Sequence, residues 1–421
     1  DQGELAAKAA DALDVIPAML GADGERVYFL MFTTPGEARG QGGFMGNYAE
    51  LTALDGEVTL SDFGRHNDLS NGGERPRTLE RAPDDWMARY GQFGYTTGPD
   101  DSVGNVPWAN ITISPHFPST AEVVAELYPQ SGGRELDGVF NLDVFALGQL
   151  AGLIGPLEVE GAPFPLTGAN MAPFLLIGQY EIDDFDALTD LLEAVELETI
   201  ELILGEASPD PVELARRLRP MSLQRRAMAW SAHPDEQDML SAAGFGGELL
   251  DDREDTESLA VTVVNASGSK IDTFLSRRFA LTEQEDGRME LELEFHTDPV
   301  LALPDYVVGN LVGLPRGSSR LFVSIHTSMR LLEARDGDGT IGLQPSLESG
   351  LPVHSGYLDL LPDGMAIWTL TLEASDADAL VLQPQPLVQP AVWTVDVDGV
   401  GFPWNEGSEL FNTLRLPIDG S

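Results

Sequence analysis

The chain has 421 residues and no cysteine, and its 69 acidic residues against 24 basic ones give a formal net charge of -45. The absence of cysteine excludes disulfides, thiolate metal sites and a cysteine nucleophile. Because so negative a surface repels phosphate backbones, the charge excludes nucleic acid as an expected partner. With 43% hydrophobic residues, the chain can bury the cores of two or three globular domains.

The amino-terminal region is predicted to begin with a helix followed by three strands. The helix covers residues 1–21, where apolar residues recur at helical spacing. The strands are Val27–Phe32, Tyr48–Leu54 and Val58–Asp62. Asp55-Gly56 lies between the last two apolar runs, which predicts a hairpin.

The next part of the region reads as a long surface loop, residues 64–118, and then as an alternation of strands and helices. Such an alternation is typical of an α/β or α+β layer. The predicted elements are a helix at Pro83–Tyr90, a helix at Ser119–Tyr128, a strand at Leu136–Leu142, a helix at Val144–Leu153, a short strand at Leu157–Val159, a helix capped by Thr167, helical residues 184–220 broken at Ser208-Pro209, a strand at Gln224–Trp230 and a helix at His233–Ala243.

After residue 255 the pattern changes to alternating apolar runs separated by Gly, Asp and Pro turns about every 10 residues, which is typical of a β-sandwich. The sequence therefore predicts an α/β (or α+β) domain over residues 1–255 and an all-β sandwich over residues 256–421, joined near the acidic run Asp251–Glu257.

The first candidate site is an anion site between Arg26 and Asn67. Arginine presents a planar fork that suits phosphate, and glycine lets backbone N–H groups approach an anion closely. His66 follows the second arginine and is placed to act as an acid or base near neutral pH. The predicted catalytic residues are Arg39, Arg65 and His66, and the predicted ligand contacts are Arg39, Arg65, Gly42, Gly43 and Asn47.

Three aspartates, Asp62, Asp68 and Asp143, are candidates to hold magnesium, because carboxylate oxygens suit that ion. For Asp143 we favour a second interpretation, a cap on the helix that begins at Val144. The alternative for Arg39 and Arg65 is pairing with some of the 69 carboxylates, where an exposed pair contributes only about 0 to 1 kcal/mol. Asp336-Gly337-Asp338-Gly339 is interpreted as a turn in preference to a calcium loop.

Five motifs follow one another along the chain: Arg39-Gly40-Gln41-Gly42-Gly43-Phe44, Pro115-His116-Phe117-Pro118, Asp137-Gly138-Val139-Phe140-Asn141-Leu142-Asp143, Trp230-Ser231-Ala232-His233-Pro234-Asp235-Glu236-Gln237 and Asn265-Ala266-Ser267-Gly268-Ser269-Lys270. In this order they resemble the family catalogued as domain of unknown function four thousand and twelve. Members are typically extracytoplasmic proteins of bacteria and archaea, often behind an amino-terminal membrane helix. The resemblance implies a protein that is secreted, or anchored by a membrane segment that precedes this chain.

A second resemblance is to the LytR-CpsA-Psr phosphotransferases, which move glycopolymers from a polyprenyl pyrophosphate carrier onto the cell wall. Arg39 and Arg65 fall where that family has its two arginines, so the resemblance implies a similar mixed sheet, a pyrophosphate clamp and a magnesium cofactor. Two positions differ from the family: the Gln41-Gly42-Gly43 region replaces the magnesium-binding aspartate, and His66 replaces the aspartate after the second arginine.

These features lead to one hypothesis and two alternatives. The hypothesis is an extracytoplasmic envelope protein that acts on, or binds, polyprenyl-pyrophosphate-linked glycopolymers. The first alternative is a non-catalytic envelope scaffold or carbohydrate-binding protein. The second is a secreted glycoside hydrolase, which needs a pair of carboxyl groups across a groove. The expected partner is a lipid-linked glycopolymer or cell-wall polysaccharide, with membrane contact only through the preceding segment.

Overall fold

The computed structural model describes residues 15–94, 107–182, 184–205, 211–250, 255–375, 377–397 and 407–417. The chain forms two compact units. The first comprises Asp1–Thr34 and Phe44–Glu248, and the second comprises Pro35–Gly43 and Leu249–Ser421. The segment Pro35–Gly43 therefore belongs to the second unit although it lies near the beginning of the chain.

A five-stranded sheet in the order β3-β2-β1-β4-β5 forms the centre of the first unit. Strands β1 and β4 are parallel, while β2 pairs with β3 and β4 pairs with β5 in antiparallel fashion, so the sheet is mixed. The strands are β1 (Arg26–Arg39), β2 (Gly42–Leu54), β3 (Glu57–Arg65), β4 (Gly138–Asp143) and β5 (Ala227–Ser231).

Helices surround this sheet and supply its core contacts. The fully buried ring of Phe29 stacks on Tyr48 with the ring centroids 5.3 Å apart and meets Tyr128 edge-on at 4.8 Å. The helices are α1 (residues 15–19), α2 (His66–Asn71), α3 (Asp84–Tyr90), α4 (Phe117–Gln130), α5 (Val144–Ile154), α6 (Met171–Leu176), α7 (Phe185–Leu204), α8 (Pro211–Leu223) and α9 (Pro234–Ala243), with 3-10 turns at Gly91–Phe93, Pro107–Asn110 and Gly178–Glu181.

The segment between the predicted strands Val27–Phe32 and Tyr48–Leu54, which contains Arg39, is part of a long β-hairpin. Strand β1 continues to Arg39 and β2 begins at Gly42, so only two residues turn the chain. The hairpin tip is held within the second unit, where the Ala38 N–H donates to Asp272 Oδ2 at 2.8 Å, 234 residues away. Because this partner is so distant in sequence, local patterns give no sign that the strands continue.

The second unit contains two further mixed sheets, which confirms the predicted change to a strand-rich chain. One has seven strands in the order β11-β10-β14-β8-β7-β16-β17 and the other six in the order β12-β13-β9-β6-β15-β18. The strands are β6 (Thr256–Asn265), β7 (Leu275–Glu283), β8 (Arg288–Thr297), β9 (Ser319–Thr327), β10 (Arg330–Asp336), β11 (Gly339–Thr340), β12 (Gln344–Glu348), β13 (Leu351–Leu360), β14 (Met365–Glu373), β15 (Ala379–Gln383), β16 (Ala391–Asp396), β17 (Ser408–Leu410) and β18 (Leu414–Pro417).

One hydrophobic core is shared by strands of both sheets in this unit. Val263 and Val323 enter it from the six-stranded sheet, and Leu293 and Trp368 enter it from the seven-stranded sheet. In β8 the burial alternates from residue to residue, as expected for a strand with one face on a core. Among the described residues of this unit, the other regular elements are a 3-10 turn (Ile271–Phe274) and a short helix, α10 (Asp305–Val308).

Several local predictions agree with the structure and a few do not. The helices predicted at Pro83–Tyr90 and Val144–Leu153 are present as α3 and α5. The predicted strand at Leu157–Val159 is reduced to a single bridge between Leu157 and Leu166. Residues 1–14 of the first predicted helix and the break at Ser208-Pro209 lie outside the described residues. No helix in the described part of the chain has the length and apolar character to cross a membrane.

Candidate functional site

The residues predicted to form one anion site are divided between the two units. Arg39, Gly42 and Gly43 belong to the hairpin tip in the second unit, whereas the other predicted residues belong to the first. The remaining members of the prediction are Asn47, Arg65, His66, Asp62, Asp68 and Asp143.

Arg39 is buried, with 5% of the residue exposed, and its charge is already paired. The guanidinium donates to Glu37 Oε1 at 2.8 Å and to the Ala38 carbonyl oxygen at 3.0 Å. The Gln385 side chain donates to the Arg39 carbonyl oxygen at 2.7 Å and so fixes the end of β1 within the second unit. The arrangement is that of an ion pair with Glu37, which is the alternative interpretation of this arginine, and the pyrophosphate clamp stays a prediction.

Gly42 has a conformational role in the hairpin. Its φ of 131° lies in the region that L side chains rarely adopt, and an added Cβ would come within 2.9 Å of Pro386 Cγ. The backbone conformation and the close contact with Pro386 each explain why glycine stands at this position, and neither requires a bound anion.

Replacing Gly42 by alanine is expected to reduce the stability of the second unit by about 1 to 3 kcal/mol, because the backbone strain and the contact with Pro386 add. Urea unfolding followed by circular dichroism measures the change. Gly342→Ala is the matched control in the same unit, since a Cβ there meets nothing within 4 Å. Equal stability of the two variants would contradict the conformational role.

Arg65 ends β3 and is occupied by carboxylates of helix α7. Its guanidinium donates to Glu193 Oε1 and, at 3.2 Å, to Asp190 Oδ1. The hydrogen bond to Glu193 is the main cause that raises the pKa of Arg65. Asn47, opposite Arg65 in the β2–β3 ladder, donates to Glu196 Oε2 at 2.8 Å. These two predicted ligand contacts thus lie together, but both face acidic side chains.

His66 begins α2 beside this group. Its Nδ1 is 3.2 Å from the Gly46 carbonyl oxygen, so that nitrogen carries the proton and donates. The ring meets the Phe44 ring edge-on, with the centroids 4.8 Å apart. The contacts fix the orientation of the imidazole, which is compatible with acid or base chemistry and equally with a structural role.

The three predicted magnesium ligands serve three separate purposes. Asp62 accepts from the Tyr48 hydroxyl at 2.8 Å, and Asp68 Oδ2 accepts from the Arg65 N–H at 2.8 Å. Asp143 caps α5, as the favoured interpretation predicts: its Oδ1 accepts from the N–H groups of Phe145 and Ala146. Within the described ranges, no three His, Asp or Glu side chains are grouped so as to hold a metal ion.

Asp143 also forms a buried ion pair that the sequence did not predict. Its Oδ2 accepts from Arg226 Nη1 at 2.6 Å, and 5% of Asp143 and 6% of Arg226 are exposed. Burial raises the pKa of Asp143, opposed by the charge of Arg226 and by the two backbone donors. The Arg226 guanidinium also lies 4.1 Å from the centre of the Phe145 ring.

A second polar network ties the starts of β1 and β4 to the end of β5. Asp137 Oδ1 is 2.8 Å from Arg26 Nη1 and 2.9 Å from His233 Nε2, and Arg26 Nη2 is 3.3 Å from Glu236 Oε1. Burial would raise the pKa of Asp137, but hydrogen bonds from His233, Val27 and Arg26 lower it below its usual value. Asp137, His233 and Glu236 lie in two of the motifs that resemble the family. Their spacing in the sequence did not predict that these side chains form one network with Arg26.

The second unit has an open cleft of about 670 Å³. Its walls combine a guanidinium–carboxylate pair with exposed apolar side chains. Arg320 and Asp359 form two parallel hydrogen bonds, of 2.6 and 2.7 Å. Tyr357 is 55% exposed and Met365 is 61% exposed. The main lining residues are Arg320, Asp336, Tyr357, Asp359, Met365 and Ile367.

The comparisons with known proteins agree with one of the two resemblances. Residues 23–180 match a family model described as protein of unknown function (DUF4012), which confirms the resemblance to that family over this part of the chain. The match contains Arg26 and Asp137 and ends before His233. The comparison with curated proteins gave no match.

Among solved structures, the X-ray structure of the Lin1025 protein from Listeria innocua is 12% identical, over 53% of this chain and 78% of that chain, with a TM-score of 0.23. A likeness at this TM-score carries no argument about the fold or the function.

Proposed function

We propose that this protein is an extracytoplasmic cell-envelope protein that binds a wall polysaccharide and does not transfer it. On this proposal the first unit is a LytR-CpsA-Psr-like mixed sheet without that family's chemistry, and the second unit is a β-sandwich that meets the polymer. The supporting observation is that both arginines of the expected pyrophosphate clamp are paired with carboxylates, Arg39 with Glu37 and Arg65 with Asp190 and Glu193.

The pairing matters because a clamp must present uncompensated positive charge to a pyrophosphate. Arg65 is 37% exposed, yet its two carboxylate partners would have to leave before a phosphate could approach. An anion entering this site would also meet the carboxylate of Glu196, which holds Asn47. The electrostatic balance therefore favours a binding protein for uncharged polymers over a phosphotransferase.

Calorimetry with a polyprenyl pyrophosphate analogue, with and without magnesium, separates the two functions. We expect no binding to the native chain that depends on Arg65, and we expect the chain to co-sediment with insoluble neutral polysaccharides from a panel of envelope glycans. Arg65→Ala is compared with Arg216→Ala, an arginine of α8 that is 69% exposed and paired with Glu213. Pyrophosphate binding that is lost in Arg65→Ala and kept in Arg216→Ala would overturn the proposal.

A further inference from the structure

We infer that the open cleft of the second unit is the polysaccharide site and that it takes uncharged sugar residues, with Tyr357 as the stacking platform. The inference rests on the proposed function and assigns that function to particular residues. At about 670 Å³ the cleft lies within the size range of small-ligand sites.

Strands from both sheets of the unit build the cleft. β13 and β9 are neighbours in the six-stranded sheet, where Tyr357 lies opposite Phe322 and Asp359 lies opposite Arg320. β14 and β10, which supply Met365 and Asp336, are neighbours in the seven-stranded sheet. The walls therefore stand on paired strands, and a site on such a framework needs little reorganisation to bind.

The aromatic wall is exposed but held in place. Tyr357 leaves 55% of its surface open, and its ring packs against the Phe322 ring with the centroids 5.1 Å apart and the planes at 52°. An exposed ring held in this way offers an apolar face to the C–H groups of a sugar at a small cost in side-chain entropy. Met365, 61% exposed, adds a second apolar surface on the other sheet.

The polar wall suits hydroxyl groups. Arg320 and Asp359 hold each other in a planar, bidentate pair, with 35% and 39% of the side chains exposed. The guanidinium keeps further N–H donors, and the carboxylate keeps lone pairs, so donors and acceptors stand side by side in a fixed geometry. Because a sugar hydroxyl both donates and accepts, it can use such a mixed pair, whereas a ligand that only accepts uses half of it.

The charge of the cleft selects against anionic polymers. Arg320 is neutralised by Asp359, and Asp336 adds a further negative charge to the lining. The whole chain carries a formal charge of -45, so the surrounding potential repels phosphate and uronate groups as well. Asp336 and Gly339 pair across a two-residue hairpin turn, as the turn interpretation of this segment predicts. An uncharged glycan is the class that fits.

The test measures affinity for soluble neutral oligosaccharides released from the polysaccharide that the native chain binds. We expect Tyr357→Ala to lose about tenfold or more in affinity and Tyr357→Phe to stay within about threefold, since stacking needs the ring and not the hydroxyl. Phe411→Ala, which removes a 43% exposed aromatic elsewhere on the unit, is the matched control and is expected to bind like the native chain. Binding by the native chain should change little with salt, because the ligand carries no charge.

Each outcome separates the inference from the proposed function. If the native chain binds a neutral glycan and Tyr357→Ala, with an unchanged unfolding midpoint, binds equally well, the cleft is the wrong site and the proposed function still stands. If the native chain binds no neutral glycan on the panel, both are overturned. Arg320→Gln is the second variant. It removes the guanidinium and leaves the Tyr357 ring in place, and we expect the affinity for the oligosaccharide to fall about threefold or more.

Discussion

Replacing Asp143 by alanine is expected to destabilise the first unit by about 3 to 5 kcal/mol, because it breaks a buried ion pair by removing the carboxylate that accepts from Arg226. The same change removes the acceptor for the N–H groups of Phe145 and Ala146 at the first turn of α5. Because the ion pair and the helix cap are lost together, this is among the largest effects we expect. Urea unfolding of the full chain, followed by circular dichroism, gives the size of the loss.

Two further variants distinguish the charge from the cap. Asp143→Asn keeps an oxygen at the cap but removes the charge, so its loss should be smaller than that of Asp143→Ala. The double variant Asp143→Leu with Arg226→Met should be more stable than Asp143→Ala, because it removes the buried guanidinium together with its carboxylate partner. Hydrogen exchange of the α5 amides locates the effect.

The control for the pair is Glu373→Ala. Glu373 pairs with Arg330 at the surface, where 51% and 68% of the side chains are exposed, so its removal should cost less than about 1 kcal/mol. If Asp143→Ala matched this control, the Arg226 charge would have to be solvated in the native chain, and the buried ion pair would contribute nothing.

Local features of the sequence predicted local structure well. Asp55 and Gly56 have φ values of 52° and 87°, and Leu54 pairs with Glu57 across them, as expected for an Asp-Gly hairpin. Asp143 caps the helix predicted to begin at Val144. In each of these cases the residues that decide the structure lie within a few positions of one another, so a single stretch of sequence contains the whole cause.

The candidate sites depend on contacts between distant segments, and here the sequence was insufficient. Arg26 and Asp137 are 111 residues apart, and Asp137 and His233 are 96 residues apart. The spacing of these residues gives no sign that they meet, although two of them lie in motifs that resemble the family. The cleft has the same difficulty, because Arg320 and Asp359 meet only through the pairing of β9 with β13.

At Arg39 the observed strand is longer than the predicted one, and the cause is related. Arg39 lies beside glycines, and that local pattern indicates an anion loop. In the structure, strand β1 continues to Arg39 instead. The Asp272 carboxylate accepts from the Ala38 N–H, and the Gln385 side chain donates to the Arg39 carbonyl oxygen. A strand end that is held by residues more than 200 positions away cannot be recognised from its own sequence.

Asp272 is the second residue for which we expect a large effect, and its effect depends on pH. Its carboxyl group is buried beneath the hairpin tip, where Oδ2 accepts from the Ala38 N–H at 2.8 Å and from Asn265 Nδ2 at 2.7 Å. Burial is the main cause that raises the pKa of Asp272 to about 6. The nearby charge of Glu37 raises it further, while the hydrogen bonds and the charge of Arg39 lower it.

The direction of the pH effect follows from the two pKa values. An unfolded aspartate has a pKa of about 3.9, so between that value and about 6 the folded chain binds more protons at Asp272 than the unfolded chain does. The contribution of this group to stability therefore rises as the pH falls from 7 to 4. Two pKa values this far apart correspond to up to about 3 kcal/mol.

Asp272→Asn removes this titration and keeps a side chain that can accept from the Ala38 N–H. We expect the stability difference between the native chain and Asp272→Asn to shift in favour of the native chain by up to about 3 kcal/mol between pH 7 and pH 4. Urea unfolding at several pH values measures the free energy of unfolding of both chains. Groups that titrate in both chains contribute equally, so their effects cancel in the difference. Hydrogen exchange of residues 35–43 then reports the hairpin tip itself.

Asp338→Asn is the control, because it removes an aspartate from the exposed turn after β10. Its stability difference from the native chain should stay nearly constant over the same pH range. A constant difference for Asp272→Asn as well would mean that water reaches the carboxyl group, so that the hairpin tip does not cover Asp272. A stability difference between the native chain and Asp272→Asn that grows as the pH falls would support the opposite conclusion. Together with slower exchange at Ala38 in the native chain than in Asp272→Asn at the same pH, it would show that a carboxyl group whose charge is disfavoured by burial holds the hairpin tip.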